Sequence, residues 1–207
     1  MRAIIVTNGN APLSLPTDFA KEADIVIAAD GGLEVVEILG LDCDIAIGDF
    51  DSLKKIELLD NIKFQRYDKD KDFSDTELAI AYAKDQGCDE YILLGGGEGR
   101  MDHLLGIWGI FKNYGPPICW LTRKDALYLV EDKKTFTTSI GETISIINSI
   151  IDSKSIVNAN ELKWPLNNFI VKSNHFSLSN KASSGKLSVE CLSGSVFVTF
   201  LTPREYI

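Results

Sequence analysis

Ile25-Val26-Ile27-Ala28-Ala29-Asp30-Gly31-Gly32 is an apolar run that ends in a carboxylate and two glycines. Leu33 to Leu39 follows with helical periodicity and is closed by Gly40, and Ile45 to Ile47 is the next apolar run. Strand, turn, helix and strand in that order predict a βαβ unit, which needs parallel pairing and a sheet covered on both faces. The pattern extends outward. Ala3 to Thr7, Tyr91 to Leu94 and Ile118 to Thr122 read as further strands. Leu78 to Lys84, entered through Ser74 and Glu77 as a capping box and stopped at Gly87, reads as a helix, as does Asp102 to Lys112, halted by Gly115-Pro116-Pro117. After about residue 125 helical periodicity fades and short β-rich runs take over: Ala126 to Val130, Thr143 to Ile147, Phe169 to Lys172, Leu187 to Cys191 and Val196 to Leu201. The expected fold class is an α/β N-terminal domain with a mostly parallel sheet over residues 1–125, plus a C-terminal all-β sandwich domain over 126–207. No Pro- or Gly/Ser-rich linker separates them, so the halves are expected to pack together.

The 207 residues, 45% hydrophobic and 25% charged, suffice for a sizeable core. The first apolar run is too short for a signal peptide and no stretch approaches bilayer length, so no membrane association and a cytoplasmic location are expected. Cys43, Cys88, Cys119 and Cys191 are widely spaced and lie in or beside apolar segments, which predicts buried free thiols. A net charge of −9 and the lack of a basic stripe argue against nucleic-acid binding.

Acidic residues cluster in two places, Ile47-Gly48-Asp49-Phe50-Asp51-Ser52 and Asp70-Lys71-Asp72-Phe73-Ser74-Asp75. Carboxylates this close repel one another unless a cation lies between them, and hard divalent metals take such oxygen ligands. If Asp49-Phe50-Asp51 is extended, both carboxylates point to one side and can meet one ion. Asp75, first in its helix, either joins that site or only assists Ser74 in capping. Asp30 either faces the same ion or caps the helix behind it. Ligands of parallel sheets bind beyond the carboxyl ends of the strands, where Asp30, Asp49 and the Gly95 loop all fall.

Gly95-Gly96-Gly97-Glu98-Gly99-Arg100-Met101-Asp102-His103 joins a strand to a helix, a setting in which backbone N–H groups and Arg100 can meet phosphate oxygens. It is neither a Walker A loop nor a dinucleotide fingerprint. Asp102 and His103 are either an acid/base pair or a cap beside a structural histidine, and His175 reads as structural. Carboxylates for magnesium, with glycines and arginine for oxygens, describe metal-bound polyphosphate. Phosphoryl-type transfer runs on positioning and charge stabilisation without a dedicated protein nucleophile. The aspartate pair does not suit a haloacid-dehalogenase-like phosphatase, whose strand runs directly into DxDGT; here Gly48 precedes the pair and Ser52 follows it.

Taken in order, AADGG, IGDFDS, DKDFSD, GGGEGRMDH, LKWPL and Ser173-Asn174 resemble thiamine pyrophosphokinase over most of the chain. That resemblance implies Mg²⁺-dependent transfer of diphosphate from ATP to the hydroxyl of thiamine, with release of AMP, by a homodimer pairing an α/β catalytic domain with a thiamine-binding β-sandwich. Carried over, it makes Asp30, Asp49, Asp51 and Asp75 the metal ligands. Asp49, Asp51, Asp75 and Asp102 become the catalytic carboxylates, with Asp102 near the substrate hydroxyl. Asp70, Lys71, Ser74, Gly97 and Arg100 would surround the nucleotide. Trp164, Ser173 and Asn174 would form the thiamine pocket across the dimer interface; as residue types alone, Trp164 fits a cation-stacking face or an ordinary core aromatic equally. Glu161 and His175 depart from the family pattern. A pyrophosphokinase acting on a pterin alcohol, and a non-catalytic nucleotide- or thiamine-sensing module, are the alternatives.

Overall fold

The computed structural model describes residues 1–16, 18–96 and 100–201. Six strands, β1 (Arg2–Thr7), β2 (Ile25–Ala29), β3 (Ile45–Gly48), β4 (Lys63–Arg66), β5 (Glu90–Leu94) and β6 (Cys119–Leu121), pair in parallel in the order β6-β5-β1-β2-β3-β4. Among the described residues three α-helices lie between them: α1 (Gly32–Leu39), α2 (Asp75–Asp85) and α3 (Met101–Tyr114). Alternate strand residues face opposite ways. Ile4, Val6, Val26, Ala28 and Ala46 pack with Leu33 and Val36 of α1, whereas Ala3, Ile5, Ile27, Ile45 and Ile47 pack with Ala79 and Ile80 of α2 and Ile107 and Phe111 of α3. Burial on both faces explains why these strands read as unbroken apolar runs. Close approach is needed on the α1 side, because a Cβ on Gly32 would stand 2.1 Å from the Val6 carbonyl oxygen.

β4 is a strand that the apolar pattern does not announce. All four of its residues, Lys63-Phe64-Gln65-Arg66, are exposed at the sheet edge, where charge blunts further pairing.

Beyond residue 125 the described residues hold strands only: β7 (Asp125–Val130), β8 (Lys133–Thr137), β9 (Thr143–Asn148), β10 (Lys154–Ala159), β11 (Leu166–Lys172), β12 (Ser177–Lys181), β13 (Lys186–Ser193) and β14 (Val196–Leu201). Four of them, in the order β12-β9-β14-β7, continue the first sheet by antiparallel pairing of β7 with β6, so that ten strands form one sheet. The others form a second, antiparallel sheet in the order β11-β10-β13-β8. Pairing changes from parallel to antiparallel at a tight turn where Thr122 Oγ1 accepts from the Asp125 N–H at 2.9 Å. The second sheet packs on the face that α1 covers further along, with Phe136, Val157, Val171, Leu187 and Val189 meeting Tyr128, Ile146 and Val198 in one cluster. On the opposite face Phe111 of α3 lies edge-on to Trp120 and Phe197, at centroid distances of 5.6 and 6.1 Å, and so links β6 to β14 across β7. No helix among the described residues is long and apolar enough to cross a membrane.

Cys88, Cys119 and Cys191 are buried and Cys43 is half-buried, all as free thiols. Burial pushes the Cys119 thiol up to about 12 and the Cys43 thiol up to about 11. Thiolate is the reactive form. At about pH 8 the folded chain should therefore leave its thiols unmodified by DTNB for minutes and yield all four after unfolding in guanidinium. Rapid labelling of Cys119 in the folded chain would contradict its burial.

Candidate active site

β1 is the pivot of the parallel strands. The chain moves outward through β2, β3 and β4, then returns to place β5 on the other side of β1. Loops on either side of such a switch point part from one another and leave a crevice beyond the strand ends. A cleft of about 700 Å³ opens there, lined by Thr7 at the end of β1 and Asn8 beyond it, Asp30 after β2, Asp51 and Ser52 after β3, Gly96 after β5, and residues from the first turns of α2 and α3.

Asp30 adopts a left-handed backbone (φ 47°), and its N–H donates to the Ile47 carbonyl at 2.8 Å, so the β2–β3 ladder continues one residue further. Its side chain does not cap α1, since the N-cap position falls on Gly31 and receives no side-chain bond. One carboxylate oxygen accepts from the Ser52 hydroxyl, and the other is buried without a hydrogen-bond partner.

Asp49 and Asp51 converge by a different route from the extended one expected of an i, i+2 pair. β3 ends at Gly48, and Phe50 takes a left-handed conformation (φ 62°) with its side chain buried. A bulky residue held there costs about 1–3 kcal/mol. The ring is edge-on to Phe64 at 5.9 Å, the Arg66 guanidinium lies 5.1 Å from its centroid, and Arg66 also donates to the Asp49 carbonyl at 3.0 Å. The resulting turn lets Asp49 Oδ1 accept the Asp51 N–H at 3.0 Å. Oxygen atoms from Asp30, Asp49 and Asp51 then lie within 4.8 Å of one another. Three hard oxygen donors at that spacing, one of them with an unpartnered buried oxygen, fit a divalent cation such as magnesium.

Asp75 approaches the same place from α2. Ser74 does the capping, its Oγ accepting the Glu77 N–H at 3.2 Å, which frees Asp75. Gly48 lets Asp75 and Asp30 approach each other: a Cβ on Gly48 would lie 3.0 Å from Asp30 Cβ and 3.2 Å from Asp75 Oδ1. Lys71 joins the group, with Nζ 3.1 Å from Asp49 Oδ2 and 3.1 Å from Asp75 Oδ1, the second an ion pair whose angle falls short of a hydrogen bond. Burial raises the Asp75 pKa against the pull of Lys71, whereas the Asp51 N–H, then Lys71, lower that of Asp49. Burial opposes the Lys71 charge, but its carboxylate partners still carry its pKa upward.

Arg100, at the N-cap position of α3, donates to both oxygens of Asp102 at 3.1 and 2.5 Å; both side chains are exposed and both line the cleft, with His103 beside them. The helix has no side-chain cap, so Asp102 is not one. Gly97 lies outside the described residues. Asp70 is exposed and does not line the cleft.

Trp164, Ser173 and Asn174 lie apart from this cleft. The core-aromatic alternative for Trp164 does not hold: it is 55% exposed, with the Lys163 ammonium 4.8 Å from its ring. Its backbone is clamped by the buried Asn180, which accepts the Trp164 N–H at 3.2 Å and donates to its carbonyl at 2.8 Å. Ser173 and Asn174 form the turn between β11 and β12, and Ser173 Oγ accepts the Asp152 N–H at 3.3 Å. The two unusual residues nearby are accommodated: Glu161 accepts the Ser188 N–H at 3.2 Å, and His175 stacks on Phe169 at 4.6 Å. Thr7, Asn8, Ser52, Thr76 and Arg66 were not singled out from the sequence. Thr7-Asn8-Gly9 follows an apolar strand just as Asp30 does, so the strand-end rule alone would have found it.

The fold is a parallel α/β sheet with an acidic cleft built at its strand ends, continued by antiparallel strands that a second sheet covers. Residues 17–114 match the family described as thiamin pyrophosphokinase, catalytic domain. A comparison with curated proteins returned no match. Among solved structures, the chain is similar to a thiamin pyrophosphokinase family protein from Enterococcus faecalis (21% identity, TM-score 0.76, 99% of this chain and 100% of that one) and to thiamine pyrophosphokinase from Bacillus subtilis (19%, 0.73, 99% and 100%). Thiamin pyrophosphokinase from Candida albicans is a more distant likeness (15%, 0.71, 98% and 90%). The resemblance to the thiamine pyrophosphokinase family therefore holds, by sequence for residues 17–114 and by fold for the whole chain.

Gly48→Ala should destabilise the chain by about 1–3 kcal/mol in urea unfolding, because the added methyl meets Asp30 at a backbone angle unsuited to alanine. Gly109→Ala, in α3 with open space around it, should instead stabilise by about 0.5–1 kcal/mol. Equal effects would show that crowding at Gly48 is not real.

Proposed function

We propose that the chain is a thiamine pyrophosphokinase, transferring the terminal diphosphate of ATP to the hydroxyl of thiamine and releasing AMP. The observation that carries this reading is the convergence of Asp30, Asp49 and Asp51 at the switch point of the sheet, with an unpartnered Asp30 oxygen and Arg100 on the same cleft. Asp30, Asp49 and Asp51, with Asp75 adjacent, would hold the magnesium ion. Bound there, the ion would neutralise charge on the polyphosphate oxygens.

The chain's own groups do the rest. Arg100 presents donors to phosphate oxygens, and Lys71 and Ser74 flank the nucleotide. The substrate oxygen attacks the β-phosphorus, the bond from that phosphorus to the α-phosphate bridging oxygen breaks, AMP carries that oxygen away, and the hydroxyl proton passes to a carboxylate of the cleft. On this reading Asp102, which lines the cleft at the α3 end, would orient the alcohol.

On this reading residues 1–125 form the catalytic part and 126–207 the thiamine-binding part of a cytoplasmic homodimer. The exposure of Trp164, and its separation from its own cleft together with Ser173 and Asn174, support a pocket completed by a second copy.

Incubation with ATP, magnesium and thiamine should give AMP and thiamine diphosphate in equal amounts, and chelation by EDTA should stop it. Hydroxymethylpterin in place of thiamine should release no AMP. Asp49→Ala and Asp75→Ala should each lower turnover at least about 100-fold while the circular dichroism spectrum is kept. Normal turnover in either variant would remove the assigned site.

A further inference from the structure

Charges alternate along Asp68-Lys69-Asp70-Lys71-Asp72, the segment between β4 and α2. Both lysines turn toward the cleft carboxylates, while Asp68, Asp70 and Asp72 are exposed. Lys69 reaches Asp51 at 2.5 Å but remains 75% exposed, as an outer pair. Lys71 differs. Its side chain is only 14% exposed, it spans Asp49 and Asp75 at 3.1 Å each, and it also donates to the Asp68 carbonyl at 3.2 Å.

This ammonium sits where positive charge is most needed. Asp49 Oδ2, which it holds, belongs to the carboxylate that groups with Asp30 and Asp51, so a divalent ion arriving there meets a cation already sharing a ligand. Two cations on one carboxylate repel strongly in a partly buried setting. A nucleotide polyphosphate relieves the conflict, because it supplies the anionic oxygens to which a displaced lysine can turn.

We propose that Lys71 is the resident counter-ion of the carboxylate cluster: it holds Asp49 and Asp75 together while metal is away, competes with bare divalent metal, and yields when metal arrives with a nucleotide. The nucleotide arm rests on the function proposed above; the competition with bare metal does not. By linkage, metal and nucleotide each raise the other's affinity by the same factor.

The test is Mn²⁺ binding, followed by the electron paramagnetic resonance signal of free Mn²⁺, with and without α,β-methylene-ATP, on the full chain. Lys71→Met should bind bare Mn²⁺ roughly tenfold more tightly than the wild type, and the enhancement by the nucleotide analogue should shrink by a similar factor. Lys71→Arg, which keeps the charge, should stay near the wild-type value. Lys69→Met should change bare-metal affinity by less than about twofold, as exposed pairs contribute little. The metal-free melting temperature of Lys71→Met should fall and recover on adding Mn²⁺, which shows that the variant folds.

Bare Mn²⁺ affinity equal to or below that of the wild type in folded Lys71→Met overturns the proposal, even if the wild type releases AMP with thiamine. A gain in affinity with no AMP release from the wild type would instead uphold the counter-ion and sink the proposed function.

Discussion

Mutual repulsion among carboxylates gathered beyond the carboxyl ends of the parallel strands is the constraint around which this molecule is organised. Asp30, Asp49, Asp51 and Asp75 come from three separate connections, and none would remain near the others on electrostatic grounds. What holds them is packing. Phe50 buries its ring and forces a left-handed turn, Gly48 removes the atom that would separate Asp30 from Asp75, and Ser74 fixes the first turn of α2. Arg66, Lys69 and Lys71 supply the opposing charge. The order is thus imposed by the core and trimmed by ion pairs, which is the usual balance of magnitudes, since apolar burial far exceeds what exposed pairs contribute.

Much of this was legible in the sequence, and the limits have physical reasons. Strands buried on both faces announce themselves as apolar runs, and five of the six parallel strands could be placed on that basis. β4 could not, because an exposed edge strand needs no apolar residue. The residues of the site were also readable, since Asp30, Asp49 and Asp51 all follow such runs. Their geometry was not: an i, i+2 spacing suggested an extended pair, whereas a buried phenylalanine turned the backbone left-handed and brought the carboxylates together. Nothing in local periodicity distinguishes those two routes.

The β half was less transparent. β8, β10 and β12 alternate weakly or carry mostly polar residues, and their pairing depends on partners far away in the chain. The exposure of Trp164 was likewise undecidable, because the type of residue speaks for burial while Asn180, sixteen positions on, clamps its backbone and leaves the ring at the surface.

The unbroken run of strands from β4 to β12 has a mechanical corollary. Backbone hydrogen bonds between β6 and β7, reinforced by Phe111 against Trp120 and Phe197, tie the two halves into a single stiff plate. A hinge at residue 125 would have to tear that ladder. Any opening and closing of the cleft must therefore come from the short connections at the plate's rim, chiefly the one carrying Lys69 and Lys71, while the sandwich moves with the rest as a rigid body.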